Sequence, residues 1–77
     1  MESLIRIFAD FNNADKENRF RLNTTGSIND LRNQNITLVP GIKILLDNDE
    51  GLTFVGIVEF SEDEQIWVAR VDKNDFR

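Results

Sequence analysis

The run Leu52-Thr53-Phe54-Val55-Gly56-Ile57-Val58-Glu59-Phe60 constrains the fold more than any other stretch of this chain. Read with a period of two, Leu52, Phe54, Val58 and Phe60 share one face and Val55 and Ile57 the other. An apolar strand with two faces to bury must lie centrally or bend between two sheets. Gly56 at its middle lacks the Cβ that would obstruct such a bend or a close backbone approach. In a chain of 77 residues, this places a β core at the centre of a single domain spanning residues 1–77.

The remaining segments alternate in the same way. Leu4 to Phe11 sets Ile5, Ile7, Ala9 and Phe11 against Leu4, Arg6, Phe8 and Asp10. After the polar turn region Asn12 to Asn18, the run Arg19 to Asn23 points Phe20 and Leu22 inward and both arginines outward. These two runs read as an antiparallel pair, with Thr24-Thr25-Gly26 ending the second. Ser27, with Asp30 three residues on, carries a weak capping signature for one or two helical turns. Pro40-Gly41 signals a turn, and Ile42 to Asp47 and Ile66 to Val71 complete the strands, the latter with Trp67, Ala69 and Val71 inward. The expected fold is all-β, a small five-stranded antiparallel barrel with one short helical turn. An OB-like barrel is the second choice, since it calls for longer strands and a helix between the third and fourth.

The pattern Leu38-x-x-Gly41-x-Lys43-x-Leu45, then Val55-Gly56-x-Val58-Glu59 and Trp67-Val68-Ala69, resembles small SH3-like modules of uncharacterised bacterial proteins. The likeness covers about half the chain and rests on residues common to barrels. It implies an SH3-like barrel and a binding role. Without a Tyr, the aromatic groove of signalling SH3 domains is not assembled in its usual form.

The absence of Cys and His excludes Cys–His pairs and Ser–His–Asp triads and removes zinc's usual ligands. Neither a disulfide nor a metal staple is then expected, although a domain this small buries only around 60% of its unfolded surface. Asp47-x-Asp49-x-Gly51 resembles the opening of a calcium loop, but its glycine comes one position early and Val58 stands at the twelfth position. Asp10-x-Asn12-x-x-Asp15 has no glycine and ranks lower. Both read as turns with solvated acids. No enzymatic activity, metal or cofactor is expected, and the four isolated glycines read as turn or bulge residues.

A binding role is expected instead, and its best candidate is an outward face carrying Arg6, Phe8, Arg19 and Arg21, provided that the first two strands pair. Arginine beside phenylalanine can stack on bases or on protein side chains. The competing structural reading is that cross-strand pairs with Asp10, Glu2 or Glu17 absorb the arginines. Fourteen acids against nine bases give a net charge of −5, and the excess lies entirely in the C-terminal half. That imbalance favours a protein partner, with self-association into a dimer among the options, over RNA or single-stranded DNA. The turn acids Asp47, Asp49, Glu50, Glu62, Asp63 and Glu64 form a second candidate, for a basic partner. Trp67 reads as core, and Phe76 as either tucked against the barrel or an interface residue. Without an apolar stretch long enough to span a membrane or a leader pattern at Met1, the chain reads as cytoplasmic.

Overall fold

The computed structural model describes residues 4–71. Five strands and one helix follow in the order β1 (Ile5–Phe8), β2 (Arg19–Arg21), α1 (Thr25–Asn33), β3 (Lys43–Asp47), β4 (Thr53–Ser61) and β5 (Ile66–Val71). The strands form one mixed sheet in the order β1-β3-β4-β5-β2. β3, β4 and β5 make an antiparallel meander, β2 adds to β5 antiparallel, and β1 adds to β3 in parallel.

The expected five-stranded antiparallel barrel is therefore corrected. The fold is strand-rich with a short helix, but one pairing is parallel and the sheet is not closed. The expected antiparallel pair of the first two strands is absent too, since β1 and β2 lie at opposite ends of the sheet. The physical reason is the connection. A parallel neighbour needs a long crossover, and the stretch from β2 through α1 to Gly41 returns the chain so that β3 starts beside the start of β1.

The core explains why these strands curl. Ile7, Phe20, Ile44, Leu46, Val58, Ala69 and Val71 are buried in one cluster to which all five strands contribute. Phe11, just beyond β1, packs tilted against Phe20 of β2 at 5.0 Å and edge-on to Phe54 of β4 at 5.0 Å. One aromatic ring thus ties the end of the sheet to its centre. Gly56 sits at the expected close approach, where a Cβ would come within 3.0 Å of Leu46 Cδ1 and 3.1 Å of Ala69 Cβ.

The strand β4 is not buried on both faces as its composition suggests. Leu52, Val55 and Phe60 are exposed, and Phe60 lies edge-on to half-buried Trp67 at 5.1 Å. Entry into β3 is set by Pro40-Gly41. Gly41 has φ +94°, its N–H donates to the Val58 carbonyl, and the Val58 N–H donates to the Ile42 carbonyl. That pairing is a glycine-type bulge, two residues facing one, which needs a left-handed residue at its first position.

The helix is longer than the one or two turns expected. It runs nine residues, capped by Thr24, whose side chain accepts from the Ser27 N–H. The capping residue is thus Thr24, three positions before Ser27, and Ser27 lies inside the helix. Gly26 is a helix residue rather than a turn glycine; a Cβ there would meet the Phe8 ring at 2.6 Å. Phe76 lies outside the described residues.

Candidate functional site

The alternation of β1 and β2 places Arg6, Phe8, Arg19 and Arg21 on the face of the sheet opposite the main core, but the topology separates them. β1 and β2 stand four strand spacings apart, roughly 19 Å in a flat sheet. Arg6 and Phe8 lie at one end, and Arg19 and Arg21 at the other. The four residues do not make one contiguous patch.

Each arginine is also occupied. Arg6 Nε donates to Asp47 Oδ2 at 2.6 Å, and its terminal nitrogen reaches Asp49. Arg21 donates through Nε and Nη2 to both oxygens of Glu64 and through Nη1 to Asn13 Oδ1 and the Ala14 carbonyl. Arg19 donates to Asp15 Oδ2 at 2.9 Å, to Glu17 Oε2 at 3.0 Å and to Glu59 Oε1 at 3.1 Å. Arg70 closes this network on Glu59 from the other side. Beneath these salt bridges Val68 is fully buried on the outer face, because Arg19, Arg21 and Glu59 flank it in the strand register.

The electrostatics follow from these contacts. Burial pushes the Asp15 carboxyl up, but the N–H groups of Arg19 and Glu17 and the Arg19 guanidinium outweigh it, so its pKa falls below the usual value. The Arg70 hydrogen bond holds Glu59 low, against its own desolvation and with help from Arg19. Hydrogen bonds from Arg6, Lys16 and Arg21 likewise lower Asp47, Asp63 and Glu64. Each of these contacts favours the ionised form of its carboxylate.

The acidic turns are shaped by their own backbones. Asp47 and Asn48 side chains accept from the N–H groups of Asp49, Glu50 and Leu52, as turn-forming Asx residues do. Asp49 and Gly51 supply the positive φ angles of this turn. In the β4–β5 turn, Asp63 pairs with Lys16 and Glu64 with Arg21, tying it to the chain around β2.

Two features escape a reading by sequence. On the outer face, Leu45 pairs with Val55 and Ile57 follows two residues on. They form a small apolar strip, with Val55 39% exposed, bordered by the Arg6–Asp47 and Arg70–Glu59 pairs. At the free edge of β1, Asp30 Oδ2 accepts from the Phe8 N–H, Ser27 Oγ donates to the Phe8 carbonyl, and Gln34 Nε2 donates to the Arg6 carbonyl. The helical spacing of Ser27, Asp30 and Gln34 is the one sequence signal that marks this polar stripe. A shallow cleft of about 460 Å³ beside α1 is lined by Ile28, Leu31, Arg32, Asn35, Ile36 and Thr37.

No helix among the described residues is long and apolar enough to cross a membrane. The chain matches no protein-family model, no curated protein and no solved structure.

Proposed function

We propose that this protein is a non-catalytic module that binds another protein through the outer face of its sheet. The observation that carries this reading is the Leu45, Val55 and Ile57 strip framed by satisfied ion pairs. An apolar centre inside a polar rim is the anatomy of a protein interface. Nucleic-acid binding is the weaker reading, because Arg6, Arg19 and Arg21 already face carboxylates and the chain carries a net charge of −5. The non-catalytic part rests on a composition without Cys or His and on carboxylates held in their ionised form. The SH3-like kinship belongs to the same proposal. Most of its pattern falls in the antiparallel β3–β4–β5 meander, whereas the parallel β1 lies outside it.

The test is affinity capture from the native source with wild type and Val55→Asp. A stoichiometric partner held by wild type and lost by the variant is the expected result, since Val55 is exposed and its replacement leaves the core intact. Equal retention by both proteins sinks the assignment of the face. A gel shift with single-stranded DNA or RNA that falls steeply with salt would overturn the choice of partner class.

A further inference from the structure

The edge of β1 is closed in an unusual way. Alternation along the strand turns Ala9 toward β3, where its N–H donates to the Asp47 carbonyl. The backbone groups of Arg6 and Phe8 therefore face away from the sheet. In an ordinary sheet another strand would satisfy them. Here side chains of α1 and its C-cap satisfy three of the four: Asp30 takes the Phe8 N–H at 2.8 Å, Ser27 bonds the Phe8 carbonyl at 2.6 Å and the C-cap Gln34 bonds the Arg6 carbonyl at 3.0 Å. The apolar anchorage of the helix is small: Leu31 packs half-buried against the core and Gly26 against the Phe8 ring, while Ser27 is its one buried residue and Ile28 is 42% exposed. By contrast, the free side of β2 is closed by backbone of its own hairpin, through Asp15 N–H to the Arg19 carbonyl and Arg21 N–H to the Asn13 carbonyl. An element with a few polar bonds and one half-buried apolar anchor opens at lower cost than one buried in the core.

We propose that the outer edge of β1 is a latent strand-pairing site for β1 of a second copy of this chain, held shut by α1. This inference rests on the reading of the protein as a protein-binding module. The register argues for a second copy. An antiparallel pair centred on Ile7 places Arg6 opposite Phe8 of the second copy, and Phe8 opposite its Arg6. Both are pairs that exchange two hydrogen bonds, so the four outward groups of each Arg6 and Phe8 are all satisfied. The aliphatic stem of Arg6 then lies beside an aromatic ring of the second copy while its guanidinium keeps Asp47, a favourable cross-strand contact. A twofold axis through Ile7 closes the assembly at a dimer.

The test removes two of the helix's polar bonds while leaving buried Ser27 in place. Asp30→Ala/Gln34→Ala is expected to double its mass by light scattering at submillimolar concentration, with at least a tenfold gain in dimer association constant over wild type. Adding Phe8→Pro deletes the outward N–H and is expected to return the protein to monomer. A folded double variant that stays monomeric overturns the proposal, as does a dimer that survives Phe8→Pro. If the double variant does not fold, wild type is titrated with the acetylated peptide Leu4–Asp10 and followed by NMR. A saturable shift of the Phe8 amide with faster exchange of α1 amides is expected, and no shift overturns the proposal. Capture of a partner by wild type and Phe8→Pro alike would leave the binding-module reading standing while removing the β1 edge from it.

Discussion

Arg19 lies on the outer face of a three-residue strand, yet only 8% of it is exposed. Three carboxylates surround it, and this decides what the residue does. A buried guanidinium without partners would be costly, so Arg19 organises the loop that folds over it rather than presenting itself to a ligand. Of the partners proposed from the sequence for the arginines, Glu17 is found on Arg19. Asp15, Glu59 and Glu64 were not legible, because their contacts depend on which strands become neighbours. The pH dependence follows from the direction of the shifts. Glu59 has a folded pKa below its ordinary value, so its contribution is complete above the unfolded pKa of about 4.3 and is lost as pH falls through the folded value. Glu59→Gln is expected to lower the urea midpoint at neutral pH and to flatten its decline between about pH 5 and pH 3. A variant curve parallel to wild type through that range would show that Glu59 is not a linked group.

Gly41 makes a second residue-scale case. Its φ is +94° and nothing lies within 4 Å of where a Cβ would stand. Gly41→Ala therefore tests the backbone conformation alone. It is expected to cost roughly 1–2 kcal/mol in equilibrium unfolding, the penalty of placing a side chain in the left-handed region. An unchanged midpoint would mean that the bulge opposite Val58 adapts to another geometry.

At the scale of elements, α1 shows where a local reading stops short. Thr24-Thr25-Gly26 reads as the end of a strand, because glycine and threonine are poor helix formers. The outcome is set by Thr24 as N-cap and by the docking of Gly26 on the Phe8 ring. The missing Cβ lets the helix approach β1, a tertiary reason that no propensity scale contains. Thr24→Ala is expected to destabilise the protein by about 1 kcal/mol, the usual worth of a cap. Hydrogen exchange should locate the loss in α1, where the Ile28 N–H bonds to the Thr24 carbonyl. Uniform acceleration across all five strands would contradict this local account.

For the molecule as a whole, the curl of an open sheet depends on a few side chains that reach between distant strands. Phe11 touches both Phe20 and Phe54, and it is half-buried. Its removal takes away a contact on each side and leaves a void between β2 and β4. Phe11→Ala is expected to cost about 3 kcal/mol, the lower end for aromatic truncation in a core. Exchange should quicken first in β2, and denaturant titration with amide exchange would check both. A loss below about 1 kcal/mol would place Phe11 outside the working core.

What the sequence determines by itself is which side chain faces which way. Phe20, Leu22, Ala69 and Val71 are buried as their alternation requires, and Gly56 lies at a close approach between Leu46 and Ala69. These features depend on the period of two along a strand and on the volume of one residue, both written locally. Tertiary structure alone decides strand neighbours: the parallel addition of β1 to β3, the separation of Arg6 and Phe8 from Arg19 and Arg21, and the closure of the β1 edge by α1. Alternation is the same whichever strand lies alongside and in either direction. Only the joint burial of all five strands in one cluster selects among those pairings.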